Sequence, residues 1–162
     1  MYKYNRQNAV NYALTYALKP NPYYRYFPLI GNSSGDCSNF ISQCLYSGNI
    51  PMIYNGNSPW WYTRNSRGRS YDTWSVSWAV ANSLYWHIKI SSIGYEVFET
   101  SDLSIGDLIF FQDIKNVIFH SMIITNFSNS LPLVCQHTFE AKNVPYNKSW
   151  DYYKAHFIKI KF

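Results

Sequence analysis

Cys37 stands where a glycine-rich turn gives way to an apolar-periodic segment, within the run GNSSGDCSNFISQCL from Gly31 to Leu45. Asp36 or Gly35 is placed to cap a helix beginning at Cys37. Phe40, Ile41, Cys44 and Leu45 recur at the three-and-four spacing of a buried helix face. Cys37 shares that face from the first turn, where the helix dipole and unpaired backbone N–H groups favour a thiolate. Thiolates attack carbonyl carbons, so a cysteine in this position suits acyl transfer.

A thiol nucleophile needs a base near the sulfur, and the base needs an orienting acceptor. The chain offers His87, His120, His137 and His156. His87 falls in a helical stretch among bulky apolar residues and reads as structural, and His156 has no supporting motif. His120 opens the strand-like HSMIIT, with Met122 and Ile124 on its face by alternation. His137 lies in the next strand, LPLVCQHT, on the face of Leu133 and Cys135. If the two strands pair as a hairpin, His120 and His137 point to one side of the sheet, the side that receives the Cys37 helix. The expected triad is Cys37 as nucleophile, His120 as general base and acid, and His137 accepting a hydrogen bond from His120.

The elements that must position these residues can be read along the chain. Residues from Tyr4 to Leu18 form an amphipathic pattern with Ala9, Val10, Tyr12, Ala13, Tyr16 and Ala17 on its apolar side; it ends at Lys19-Pro20-Asn21-Pro22. The Cys37 helix stops near Gly48-Asn49, with Pro51 beyond. Asn55 to Tyr71 is polar and irregular, and its Trp60 and Trp61 either cover the core or wall a substrate groove. Thr73 to Lys89 reads as helical. After Gly94 the period moves towards two: Tyr95–Glu99 a short strand, Asp102–Asp107 a turn, and Leu108–Phe111 a buried strand. Val117–Phe127 and Leu131–Thr138 follow as strands, and Tyr152–Phe162 is expected to be an edge strand rimmed by lysines. Helices first and an antiparallel sheet second is an α+β order, expected as a single domain over residues 1–162.

Taken in order, GDCSNFISQCL, GDLIFF, HSMIIT and QHT resemble the landmarks of papain-like cell-wall amidases and peptidases of the NlpC type. The resemblance is nearest to the putative amidase domain of Gram-positive bacteria. YNRQNAVNYAL, GNIPM and SWAVANSL extend it over nearly the whole chain. It implies a papain-like fold with the nucleophile helix packed on a C-terminal antiparallel sheet. The nucleophile it implies is Cys37, the base His120 and the third polar residue His137. In the mechanism that follows, the Cys37 backbone N–H stabilises the oxyanion, Asn32 is a second candidate donor, and His120 protonates the leaving group. Resolution of the acyl-enzyme by water gives an amidase or peptidase. Resolution by an amine gives an amide-forming acyltransferase, which needs an activated donor such as a thioester on an acyl carrier protein, as in peptide natural-product assembly.

Composition limits the alternatives. Of 162 residues, 47% are hydrophobic and 14% charged, which places the chain among globular proteins. Aromatic residues reach 20%, so some rings are expected to line a groove; a non-catalytic module stacking on glycans or peptides would use them the same way. The net charge of +5 comes without a dense Lys/Arg block, which argues against nucleic acid as the partner. Three cysteines, an odd number, give no complete disulfide framework and suit a reducing compartment. Cys44, Cys135, His120 and His137 lack the close spacing of zinc motifs, so neither metal nor cofactor is expected. With no apolar run of signal-peptide or membrane-span length, the expected location is cytoplasmic, with a small-molecule or peptide acyl substrate and no membrane partner.

Overall fold

The computed structural model describes residues 3–31 and 33–161; Asn32, expected as an oxyanion donor, and Phe162 lie outside the described residues. Helix α1 (Arg6–Tyr16) begins at Asn5, whose side chain accepts the Asn8 N–H at 3.0 Å. It turns the small residues Ala9, Val10 and Ala13 inward, so that it packs closely on helix α2 (Cys37–Ser47). Every α2 residue from Cys37 to Leu45 is buried. A helix buried on all sides needs internal partners for its polar side chains. Ser42 donates to the Trp78 carbonyl at 2.8 Å, Asn39 donates to the Arg25 carbonyl at 2.8 Å, and Gln43 accepts from the Tyr12 hydroxyl at 2.7 Å.

The segment expected as one helix over 73–89 is broken. Helix α3 (Val76–Ala79) ends at Val80, which is extended at φ −115° and ψ 125°, and helix α4 (Ala81–Ile90) starts anew. Trp78, two residues before the break, is fully buried, donates from Nε1 to Asn39 Oδ1 at 2.8 Å, and gives its carbonyl to Ser42. Among the described residues no helix is long and apolar enough to cross a membrane.

The strands, in chain order, are β1 (Leu29–Ile30) and β2 (Ser33–Ser34), a short pair ahead of α2, and β3 (Tyr62–Thr63) and β4 (Thr73–Trp74), a second pair. β5 (Gly94–Val97), β6 (Leu108–Gln112), β7 (Ile118–Ser128), β8 (Leu131–Gln136), β9 (Ala141–Pro145) and β10 (Lys154–Ile160) form an antiparallel sheet in the order β5-β10-β6-β7-β8-β9. The architecture is α+β. Leu108, Phe110, Ile123, Cys135 and Ile158 face the helices; Ile109, Phe111, Met122, Ile124 and Val134 form a second apolar layer.

Two edges differ from expectation. β10 is interior, because β5 pairs along its outer side with Phe157 opposite Val97. Its buried His156, Ile158 and Ile160 alternate as an edge strand's residues would, so the pattern alone does not reveal the covering strand. The other edge is β9, whose AKNVP has neither apolar alternation nor a β-branched run and gave no strand signal.

Asp107 of the GDLIFF segment ties the helical layer to the sheet. Its wholly buried carboxylate accepts from Arg6 Nη1 at 2.5 Å, Ser104 N at 2.8 Å and Ile160 N at 2.9 Å, and Arg6 also reaches the Ile105 carbonyl. Replacing Arg6 by Met removes the charged donor but leaves Lys159 at 3.6 Å from the carboxylate. The expected loss is about 2–3 kcal/mol of stability, read as a lower urea midpoint at unchanged slope.

Candidate active site

The side chain of the last residue before α2, Asp36, accepts no backbone N–H from the first turn and bonds the Asn39 side chain there instead. The first-turn N–H groups of α2, beginning with that of Cys37, have no acceptor within the helix. Gly35 makes the tight approach to this point, at φ +109°. A Cβ on Gly35 would fall 2.6 Å from Thr138 Oγ1, the atom that accepts the Asp36 N–H at 2.8 Å.

The structure brings Cys37 and His120 together. Cys37 is 7% exposed and His120 is fully buried at the start of β7. Burial pushes the Cys37 thiol up, but hydrogen bonding and charge from His120, with help from Ser38 and Ser121, outweigh it and bring the thiol down to about 7. The two serines form a hydroxyl pair beside the sulfur, Ser38 Oγ lying 3.7 Å from Cys37 Sγ and 3.1 Å from Ser121 Oγ.

The other side of His120 meets Gln136, with 3.0 Å between Nε2 and Oε1. Gln136 donates its amide hydrogen to the Phe139 carbonyl at 2.9 Å, which fixes its oxygen towards the imidazole. Nε2 of His120 therefore carries the hydrogen, and Nδ1 is left with its lone pair. That Nδ1 is buried with no partner meeting hydrogen-bond geometry among the described residues. Nδ1 is thus the nitrogen left to act on the Cys37 thiol.

His137 does not take the position expected for it. Its Nδ1 lies 2.5 Å from Asp36 Oδ2 and its Nε2 2.7 Å from the Tyr16 carbonyl, so neither nitrogen is available to His120. The cause is one extra residue in β7. From the Asn129–Ser130 turn the strands pair as Ser128↔Leu131 and Asn126↔Leu133, a register that continued unbroken would face His137 towards His120. A bulge between Ile124 and Asn126 shifts the pairing to Ile124↔Val134 and Ile123↔Cys135. The shift exchanges the faces of neighbouring β8 residues, so Gln136 comes round to His120 and His137 turns to the α2 side. Gln136 is thus the residue that sequence reasoning missed. It stands beside His137 in the QHT motif, and only the bulge distinguishes the two.

Cys37 opens onto a cleft of about 630 Å³. Phe119, Phe139, Trp150 and Tyr152 supply aromatic walls, Leu29 and Ile114 add aliphatic surface, and Asp113 and Asp151 are the charged lining groups. The tryptophans expected at the substrate are elsewhere. Trp60 is 1% exposed, donates to Ser42 Oγ at 2.9 Å and packs on Trp78, so it covers the core. Trp61 stacks on Tyr54 at 5.9 Å, and neither lines the Cys37 cleft. Trp150, whose ring lies 4.9 Å from that of His120, occupies the place of an aromatic wall. Cys44 and Cys135 are buried in the core with thiols pushed up by burial.

Residues 3–160 match the family described as "Putative amidase domain". The chain is 31% identical over 147 residues to the uncharacterized protein YhbB of Bacillus subtilis (strain 168), the alignment covering 87% of this chain and 43% of YhbB. It is 26% identical over 147 residues to the uncharacterized protein YjcM of the same organism, covering 88% of this chain and 32% of YjcM. The chain therefore spans less than half the length of either relative. No solved structure matches it.

The site's electrostatics set a pH dependence. Iodoacetamide alkylation of Cys37, resolved by peptide mapping, is expected to be half-maximal near pH 7, falling as the thiolate is protonated below that value. His120→Ala removes the imidazole that lowers the thiol and should move the midpoint upward, past the ordinary thiol range. An unchanged midpoint would show that the imidazole does not act on the sulfur.

Proposed function

The chain belongs to the putative amidase domain family, and from that premise we infer that it is a cysteine-dependent amidase. Family membership points to amide hydrolysis in general terms; the cysteine mechanism is our reading of the site. The observation that carries it is the line from Cys37 through His120 to Gln136, in which one imidazole lowers the thiol while its other nitrogen is held by a fixed amide oxygen. Cysteine, histidine and a side-chain amide in these roles form the arrangement used by papain-like proteases.

In the reaction, His120 Nδ1 takes the Cys37 proton and the thiolate adds to the amide carbonyl. The oxyanion is held by the free N–H groups of the first turn of α2, which Asp36 leaves uncapped. The imidazolium returns its proton to the nitrogen as the C–N bond breaks, releasing the amine and leaving a thioester on Cys37. His120 then deprotonates water, the hydroxide attacks the thioester, and the acid departs as the thiol is restored. Gln136 keeps the imidazole in the tautomer with hydrogen on Nε2 throughout.

A second outcome is favoured by the cleft. Its walls of Phe119, Phe139, Trp150 and Tyr152 offer aromatic surface on which the apolar part of an amine acceptor can rest beside the acyl-enzyme. An amine would then form a new amide from an activated acyl donor, such as a thioester on a carrier protein.

Intact-protein mass spectrometry with acyl thioesters and small amides, with and without added amines, tests both. Wild type should gain the acyl mass and Cys37→Ala should not. Loss of the adduct to water alone keeps the hydrolase reading; conversion to a new amide establishes the transferase. No adduct on any substrate would favour a binding module. His120→Ala should lower kcat/KM by about 10²–10⁴-fold, and Gln136→Ala by a smaller factor, roughly tenfold to a hundredfold, because it removes orientation and not the base.

A further inference from the structure

Asp36 immediately precedes the nucleophile, and an unneutralised carboxylate there would oppose a thiolate across a poorly screened interior. Asp36 is 1% exposed. Its Oδ1 accepts two hydrogen bonds, from Phe27 N at 2.9 Å and Asn39 Nδ2 at 2.8 Å, so that oxygen carries no proton. Its Oδ2 meets His137 Nδ1 at 2.5 Å.

His137 is equally buried, and both its nitrogens face acceptors. Nε2 lies 2.7 Å from the Tyr16 carbonyl, an oxygen with no hydrogen to give, so Nε2 must carry one. With that hydrogen alone, the ring would turn a lone pair at Nδ1 towards a carboxylate oxygen at 2.5 Å, a repulsive contact with no solvent to relieve it. A further proton therefore lies between Nδ1 and Oδ2. On whichever atom it resides, the pair is neutral as a unit. Phe40 stacks on the imidazole at 4.0 Å, a face that suits cationic character. The Glu140 carboxyl is pushed up by partial burial, but the Tyr26 hydroxyl, with backbone bonding and the charge of His137, brings it below its ordinary value.

We propose that His137 is a positioning residue whose proton neutralises Asp36, so that this carboxylate can hold the loop before α2 without opposing the Cys37 thiolate. The proposal rests on the reading of Cys37 as nucleophile. Through Asp36 the pair fixes the Phe27 and Asn39 attachments; through Tyr16 it fixes the end of α1. The titratable groups around it are Tyr26 and Glu140 on the His137 side, and Cys37 and His120 on the side of the nucleophile. Loss of the ring by mutation leaves a buried negative charge one residue from the nucleophile.

The test is the pH midpoint of Cys37 alkylation, resolved by peptide mapping on the full chain. His137→Gln should raise the midpoint by about one unit, which slows alkylation about fivefold at pH 7, where about half of the wild-type thiol is ionised. Asp36→Asn removes the charge itself and should leave the midpoint within a few tenths of a unit of wild type. The double variant should follow Asp36→Asn, because the charge that His137 neutralises is gone. A wild-type midpoint in folded His137→Gln, or a double variant as impaired as His137→Gln, overturns the proposal.

If His137→Gln does not fold, the wild-type ring is read directly by histidine NMR. A strongly downfield proton bridging Nδ1 to Asp36 is expected at pH 7, and its absence overturns the proposal. A Cys37 that alkylates no faster than an ordinary thiol would instead sink the nucleophile reading, while leaving the bridging proton in place. The two failures are therefore separable.

Discussion

The site depends on burying the N-terminal end of α2. A helix end removed from water leaves N–H groups that must find acceptors, and the usual remedy is a cap from the preceding side chain. Here that side chain is Asp36, and it is turned away to bond Phe27, Asn39 and His137. The open end that results would be a liability in an ordinary helix. In the proposed mechanism it is a preformed set of donors for the charge that develops on a carbonyl oxygen. The burial of Asn39, Ser42 and Gln43 further along α2, each with its own partner, keeps that end from shifting.

One inserted residue decides which side chain meets His120. The hairpin turn at Asn129–Ser130, both at positive φ, is the kind of two-residue connection that sequence pattern can recognise. Counting back from it without interruption sets His137 opposite Met122 and so on the same face as His120, and the expected triad follows. The bulge between Ile124 and Asn126 lies in a run, HSMIITNF, with no glycine or proline to announce it. Thr125 is anchored there by donating to Asn143 on β9, a strand that gave no sequence signal of its own. The error over His137 and the missed edge strand therefore share a cause: both rest on long-range pairing that local periodicity does not encode.

What was legible was local. The Cys37 helix, the His120 strand, the turn before Leu108 and the α+β order follow from caps, periods and turn residues, which operate within a few positions of one another. The irregular segment holding Trp60 and Trp61 was not, because a tryptophan looks the same in sequence whether it seals a core or walls a cleft. Trp60 packs on Trp78 and Trp150 packs near His120, a distinction made by tertiary placement alone. The break at Val80 was not legible either, since the helical period continues across it and no glycine or proline marks it.

The three thiols carry this argument to the chemistry. Cys37 and Cys44 occupy one face of one helix, yet Cys44 is pushed up by burial while Cys37 is brought down to about 7. Neither residue type nor hydrophobic pattern separates them. Two differences do: Cys37 sits at the helix end with the dipole behind it, and it faces an imidazole held by Gln136. Cys135 has a strand environment with Thr125 beside it and no imidazole acting on it, and its thiol is also pushed up. In the proposed mechanism, what sets one cysteine of three apart is the register that delivers His120 and Gln136 together, so the bulge in β7 belongs to the proposed site although it touches neither the sulfur nor the cleft.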